Sequence, residues 1–451
     1  MVCTFDVRDS FAAVRLAQPR GGDGYKSLFV LATLDGSPFG TAVVPTNGET
    51  EIPSALIAAA LRRQLHREMT RAIARRNRQS GGHRTITARR SVSVVVTTCC
   101  DPVRLERCLT SVLASEHGLF EVIVVENRPD TPGTRRMLEE RFGDEARVRY
   151  IEERRPGLSS ARNAGLALAE NELIAFVDDD VVVDRAWMSR AACAFDRSND
   201  IGCVTGLILP LELETESQLL LERFMTLSKG FAPRLFHLPE SWQEFPLLPY
   251  TPGVIGSGAN TVLRADVAEQ IGGFDPSLGT GTPASGGEDL DLYIRLLREG
   301  HTIAYEPGAI VWHPHPRRPE QLRRQVYRYG LGLGATLTKQ LVAGPDRRQF
   351  LRAIPAGIAY ARDPNSRKNT GTSAGYPRRL RWLERLGVLV GPAAYLRSAI
   401  RSVGSRAGQA PRGRMTADGD RSARRFYRLG HNSGLYRRTR GELVGDRPGV
   451  A

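Results

Sequence analysis

The chain has 451 residues, 25% of them charged and 41% hydrophobic, which is enough for two or three domains around sizeable cores. Its net charge of +14 is unevenly placed: residues 345 to 451 hold 23 Arg and Lys against 7 Asp and Glu, a surplus of 16 that leaves −2 for everything before. A near-neutral body without aromatics interleaved on a basic face argues against a nucleic-acid binder, and six cysteines with no CxxC pair favour reduced thiols in a cytosolic protein over disulfides or zinc.

The chain starts MVCTFDVRDS, which lacks the basic and apolar regions of a signal peptide, and the uncharged run Leu386 to Leu396 is too short to cross a bilayer. The expected location is the cytosolic side, with the inner membrane face as a candidate docking surface. Residues 1 to about 50 alternate apolar and polar positions around a DGSPFG turn, and Pro53 to Asn77 has helical spacing. They predict a small accessory module over 1 to 85, a β hairpin plus a helix, ending in the basic linker RRNRQSGGHRT.

From Ser91 short apolar strands alternate with helices: VSVVV, a helix near 102 to 115, EVIVV, a helix near 135 to 141, VRYI, a helix near 159 to 169, and LIAFV. Near-continuous apolar strands between helices predict an α/β fold with a mostly parallel sheet covered on both faces. Its strand ends carry Thr97 and Thr98, then Glu126 and Asn127, then Asp178, Asp179 and Asp180, which would line one crevice. A helix near 186 to 195 and the strand IGCVTG lead into an irregular segment, 210 to 252, of the kind that forms lids and binding walls. The glycine-rich stretch that follows runs into a helix over 288 to 299, and TIAYEPGAIVWHPHPR reads as two short strands closing on His313 and His315.

Three consecutive carboxylates repel one another unless a cation or a change of ionisation relieves them, so they read either as a Mn²⁺ or Mg²⁺ site or as a solvated acidic turn. In the first case Asp178 and Asp180 would hold a cation against a nucleotide diphosphate, and Asp179, facing the other way, would contact the ribose or orient a neighbour. His313 is a further candidate metal ligand, ahead of His315. Asp289 is the candidate proton acceptor, with Glu288 as its rival and Asp291 behind; all three also suit a helix N-terminus as simple capping acids. PGLSSARNAG reads as a loop into a helix, with Arg162 able to pair with phosphate or base.

In order along the chain, SVVVTTCCDP, EVIVVEN, PGLSSARNAG, FVDDD, GSGANTVLRADVAEQIGGFD, GEDLDLYIRL and VWHPH resemble the inverting glycosyltransferase family 2 across about residues 90 to 340. The resemblance implies the A-type glycosyltransferase fold for this catalytic domain. It implies that Asp178 and Asp180 match the metal-binding DxD motif, Asp289 the catalytic base of the ED motif and His313 a late metal ligand. Glu126 or Asn127 falls at the position that contacts the nucleotide base, and Arg162 in a loop that often helps hold the nucleotide; with Thr97, Asp178 and Asp179 they form the expected donor site. The family often has DD or DN where this chain has Glu126-Asn127, which leaves uridine, guanosine and deoxythymidine diphosphate sugars open.

The implied reaction is a single displacement at the anomeric carbon, with a glycan or lipid-linked hydroxyl as acceptor. A nucleotidyltransferase would also use metal-binding acids, but it would carry a Gly-rich basic phosphate loop where this chain has TTCCDP. A non-catalytic nucleotide-sugar binder or scaffold is the other reading. Residues 341 to 401 are expected to be helical, with 376 to 401 a basic amphipathic stretch that either packs on the body or lies on an anionic membrane surface. Residues 402 to 451 are expected to be disordered.

Overall fold

The computed structural model describes residues 1–8, 13–16, 24–79, 90–99, 101–128, 133–363, 365–366, 369, 375–407 and 426–428. In the N-terminal module β1 (Val2–Asp6), β3 (Ser27–Leu34) and β4 (Ser37–Pro45) form one sheet, β2 (Ala13–Arg15) pairs with β5 (Glu51–Pro53), and α1 (Ser54–Gln64) and α2 (His66–Gln79) follow. The alternation in SLFVLATL points Leu28, Val30 and Ala32 into a small core closed by Ile57 and Leu61 of α1. The module rests on the main body through Leu31, which packs with Leu207, Leu209 and Ile310. Most of the basic linker, from residue 80 to 89, lies outside the described residues.

The body runs through β6 (Val92–Thr98), α3 (Pro102–Leu113), β7 (Phe120–Asn127), α4 (Gly133–Phe142), β8 (Val148–Glu153), α5 (Leu158–Leu166), β9 (Leu173–Asp178), β10 (Val182–Val183), α6 (Trp187–Ala194) and β11 (Ile201–Pro210). It continues with α7 (Glu216–Met225), β12 (Arg234–Phe236), β13 (Thr261–Arg264), α8 (Ala265–Gln270), α9 (Glu288–Arg298) and β14 (Thr302–His313). The sheet order is β10-β14-β11-β13-β9-β6-β7-β8-β15, with β15 (Phe426–Arg428) at one edge and β12 also on β14. The strands β9, β6, β7 and β8 are parallel, and β13 enters antiparallel between β9 and β11. This is the mixed, mostly parallel sheet, covered by helices on both faces, that the strand pattern predicts. One face packs on α3 and α6 through residues such as Leu105, Leu109, Trp187 and Met188, the other on α5, α8 and α9 through Ala161, Val267, Leu292 and Leu296.

Two expectations are corrected. The segment read as two short strands is one 12-residue strand, β14, whose pairing with β11 skips from Gly206–Glu306 to Leu207–Ile310. Pro307 has no N–H to give the ladder, so the chain bulges there and resumes. Asn260 repairs the gap, its amide nitrogen donating to the carbonyls of Leu207 (3.1 Å) and Ala309 (2.9 Å) while its oxygen accepts from the Trp187 indole (2.9 Å). The tail expected to be disordered from 402 includes the end of a helix as far as Ala407 and the strand β15; its remaining residues lie outside the described ones.

After the sheet come α10 (Pro319–Val342), α11 (Arg347–Arg362) and α12 (Arg378–Ala407). Helices α10 and α12 cross with backbone against backbone. A Cβ at Gly330 or Gly334 would strike the carbonyls of Glu384 and Val388, and one at Gly387 the carbonyl of Tyr327. On another side of α10, Gly332 touches the backbone of Gly286 and Gly287, and Thr336 Oγ1 donates to the Gly287 carbonyl at 3.1 Å. The packing of α10 therefore sets where α9 begins.

Candidate active site

A cleft of about 2520 Å³ opens at the carboxyl ends of β6 and β9, where an open α/β sheet presents its ligands. Strand β9 ends at Asp178, so Asp178, Asp179 and Asp180 leave the sheet just as it reaches the cleft. Extended backbone turns alternate side chains to opposite sides. Asp178 and Asp180 line the cleft, while Asp179 turns back and accepts from Thr98 Oγ1 at 2.6 Å. Burial pushes the Asp179 carboxyl up to about 7 against that hydrogen bond. Asp180 is also raised by burial, with His313 and the guanidinium groups of Arg104 and Arg107 pulling the other way.

His313 ends β14, and its Nε2 lies 3.8 Å from Asp180 Oδ1. Its Nδ1 is 2.9 Å from the Pro314 carbonyl, which can only accept, so Nδ1 donates there and Nε2 is the ring nitrogen turned toward Asp180. His315 points elsewhere, buried with its Nε2 3.0 Å from Glu222 Oε2 of α7. Asp180 Oδ1 is buried without a hydrogen-bond partner, and no three His, Cys, Asp or Glu side chains converge into a ready cage among the described residues. This donor set suits a Mg²⁺ or Mn²⁺ ion that takes one or two protein ligands and completes its shell with phosphate and water.

Arg162, on the first turns of α5, is a buried centre. It donates to Asp178 Oδ1 (3.0 Å), Glu288 Oε1 (3.1 Å) and the Gly258 carbonyl (3.0 Å), and its guanidinium stands 5.3 Å from the Phe274 ring centroid. Glu288 and Asp289 open α9, and the helix turns them apart. Glu288 is buried against Arg162, and burial with the neighbouring Asp289 pushes its carboxyl up to about 7 while Arg162 opposes. Asp289 lines the cleft, accepting from the amides of Gly258 and Leu290, both at 2.8 Å. Asp291 faces inward to Arg295 (2.8 Å) and Lys339 (2.8 Å), away from the cleft.

The remaining expected donor residues sit at neighbouring strand ends. Thr97 is opposite Asp178 in the ladder, with its hydroxyl buried and without a partner among the described residues. Glu126 is buried, and the Tyr150 hydroxyl donates to it. Asn127 ties β7 to the loop before α5, donating to the carbonyls of Glu153 (2.8 Å) and Arg155 (2.7 Å) and accepting from the Gly157 amide (2.9 Å). Neither of these two lines the cleft, which Arg162, Asp178, Asp180, Glu288, Asp289 and His313 all do.

Three contributors were not singled out from sequence. Arg104 and Arg107 of α3 stand beside Asp180, the first 3.6 Å from its Oδ2 and the second 3.2 Å from its carbonyl. Lys229, in the irregular segment, lines the cleft; burial lowers its ammonium to about 8, with the Asp289 charge holding it up. A signal existed for Lys229, one of only four lysines in a chain whose cations are otherwise Arg.

Residues 88–332 match the family model described as glycosyltransferase like family 2. A pre-mycofactocin glycosyltransferase of Mycobacterium tuberculosis is 28% identical over 173 residues, which is 38% of this chain and 32% of that protein. The succinoglycan biosynthesis protein ExoM of Rhizobium meliloti is 28% identical over 221 residues, 48% of this chain and 63% of that one. The chain thus spans about a third of the first relative's length and less than two thirds of the second's. Among solved structures, the mannosyltransferase PcManGT from Pyrobaculum calidifontis, in complex with GDP-Man and Mn²⁺, superposes with a TM-score of 0.43 at 18% identity, covering 71% of this chain and 89% of that one.

Proposed function

The chain belongs to the glycosyltransferase like family 2, and on that premise we propose that it transfers a sugar, with inversion, from a nucleotide diphosphate sugar to a hydroxyl acceptor in a polysaccharide, glycolipid or other glycoconjugate. The observation that carries the reading is that one cleft is lined by the Asp180–His313 pair and by the half-buried carboxylate of Asp289, with buried Arg162 joining Asp178 to Glu288. Asp180 and His313 are the residues that would hold a divalent cation, with Asp178 beside them. When bound, such an ion supplies charge neutralisation on the departing diphosphate.

The chain's own groups divide the remaining work. Arg104 and Arg107 add positive charge beside Asp180, where a diphosphate would lie. Asp289, held by the Gly258 and Leu290 amides, takes the proton of the acceptor hydroxyl as its oxygen bonds to the anomeric carbon and the bond from that carbon to the diphosphate breaks. Lys229 lines the same cleft, close enough for the Asp289 charge to act on its ammonium. Burial of Glu288 against Arg162 leaves it a positioning role, which is why Asp289 is the better base.

The test is a thermal-shift screen of UDP-, GDP- and dTDP-sugars with Mn²⁺, on the full chain and on Asp180→Ala. One donor should stabilise the wild type only with metal, and Asp180→Ala should lose that response. No metal-dependent response to any donor would defeat the proposal. Asp289→Asn should keep donor binding and lose transfer by roughly a hundredfold or more.

A further inference from the structure

The N-terminal module lies outside residues 88–332, the stretch that matches the family model, and the reaction proposed above gives it no part. It is nevertheless fixed to the body at β11 and β14, the two strands that end at Pro210 and His313. Leu31 of β3 packs on Leu207 and Leu209 of β11 and on Ile310 of β14, three residues before His313. The carbonyl of Asp35, in the turn after β3, accepts from Arg190 of α6 at 3.4 Å.

A further contact reaches the segment that follows His313. The Nε2 of His313 stands 3.8 Å from Asp180 Oδ1, too far for a hydrogen bond to fasten the ring there. Its Nδ1 is bound to the carbonyl of the next residue, so the ring follows the path of its own backbone. That backbone can offer few anchors, because Pro314 and Pro316 have no N–H to donate. Neighbouring groups supply them instead. The Leu211 amide donates to the His313 carbonyl at 3.0 Å, and Gln218 Nε2 to the His315 carbonyl at 3.4 Å. Arg317, where the prolines end, forks onto Glu212 and onto Glu214 Oε2, the latter at 2.7 Å.

Glu214 carries the contact on into the N-terminal module, since its Oε1 accepts from the Tyr25 hydroxyl at 2.8 Å. Only 12% of the Glu214 side chain is exposed, so water weakens these bonds little. Tyr25 is held in turn by Thr46, a buried residue whose hydroxyl donates to the Tyr25 carbonyl. Arg317 lines the cleft, whereas Tyr25 and Glu214 do not.

Resting on the transfer reaction proposed above, we infer that Tyr25 is a positioning residue for His313. Acting through Glu214 and Arg317, it fixes the path of residues 313–317 and with it the reach of the imidazole toward Asp180. The module is then a brace for the part of the site that would hold the cation, and Tyr25 touches no substrate. Guanidinium suits the junction because its planar fork engages two carboxylates in a fixed geometry, which a compact ammonium on a flexible stem does not.

Water-proton relaxation distinguishes Mn²⁺ held by a slowly tumbling protein from Mn²⁺ on a free nucleotide, so it reads occupancy of the site without turnover. The full chain is titrated with Mn²⁺ in the presence of UDP, GDP or dTDP, well below its melting temperature. Tyr25→Phe removes one oxygen outside the cleft and should raise the Mn²⁺ concentration at half occupancy about threefold, the share of one hydrogen bond. Arg317→Gln should raise it about tenfold, and Arg317→Lys by less. Adding Tyr25→Phe to Arg317→Gln should change nothing further, since both act through Glu214. A module that serves only its own fold leaves the half-occupancy concentration of Tyr25→Phe at the wild-type value even where melting falls, and that result overturns the inference. So do effects that multiply in the double variant, because Arg317 would then act on the ligand independently of Tyr25. A wild-type chain that holds no Mn²⁺ with any of the three nucleotides defeats the metal-dependent transfer reaction and this inference with it; one that holds Mn²⁺ equally well with and without the Tyr25 hydroxyl loses this inference alone.

Discussion

At the scale of single residues the site is governed by Arg162. A guanidinium with 2% of its side chain exposed is tolerable only because Asp178, Glu288 and the Gly258 carbonyl surround it. Removing it strands two carboxylates, one of them buried, and breaking a buried pair this way costs about 3 to 5 kcal/mol. Arg162→Met should therefore lower the unfolding free energy read from urea denaturation by an amount in that range, and adding Glu288→Gln should recover part of the loss, since the neutral amide no longer needs a cation. Additive losses in the double variant would contradict the pairing. Glu288 also has a pH signature. Its carboxyl is raised to about 7 in the folded chain by burial and by Asp289, so between roughly pH 4.5 and 7 the folded state holds a proton the unfolded state has released. Stability must then fall as pH rises through that window, by at most about 1.4 kcal/mol per pH unit for one proton. Glu288→Gln should flatten that slope in denaturation curves taken from pH 5 to 7.5; an unchanged slope assigns the proton elsewhere.

At the scale of elements, glycines decide how α10 meets its neighbours. Gly330 and Gly334 face α12 across carbonyls of Glu384 and Val388, and Gly332 faces Gly286 and Gly287, the lead-in to α9 and its two acids. Gly334→Ala should cost about 1 to 3 kcal/mol, as overpacking does, and should weaken donor response as well because the start of α9 shifts with α10. Unchanged melting would mean the crossing is looser than the backbone contacts imply. Nothing in the sequence announced the crossing with α12, since Gly330 and Gly334 lie more than fifty residues from Gly387 and Gly391 and the four act only together. The sheet was legible for the opposite reason: buried parallel strands are continuous apolar runs, and β6, β7, β8 and β9 are read directly from VSVVV, EVIVV, VRYI and LIAFV. The acids at the end of β9 and the start of α9 were legible with them, because a strand end or a helix start fixes where a side chain emerges. Arg162 was visible as a residue, but its burial between carboxylates 16 and 126 positions away is a tertiary fact. The single strand β14 was hidden by Pro307, a local break that Asn260 repairs from a distant loop.

At the scale of the molecule, the uneven charge acquires a location. Of the surplus of 16 positive charges after residue 344, the stretch beyond Ala407 holds 10 Arg against 4 acids, so a surplus of 10 belongs to the segment that contains α11 and α12. On α12 the exposed side chains Trp382, Leu389, Leu396 and Ile400 follow one another at intervals of 7, 7 and 4, which places them on one helical face, with Arg385, Arg397 and Arg401 also exposed on the helix. From a long helix with exposed apolar side chains on one face and exposed Arg beside them, binding at an anionic interface is the expected outcome. The full chain should therefore co-sediment with vesicles containing phosphatidylglycerol and not with neutral phosphatidylcholine vesicles at about 0.1 M salt. Much of that binding should be lost near 1 M, where the screening length falls from about 10 Å to about 3 Å. Because most of the surplus lies before Ala407, ending the chain there should leave most of the binding in place, whereas Leu389→Asp with Ile400→Asp should remove it at either salt. Binding that disappears when only residues 408 to 451 are removed would place the contact in the tail and not on α12, and binding that is indifferent to salt would remove the Arg side chains from the reading.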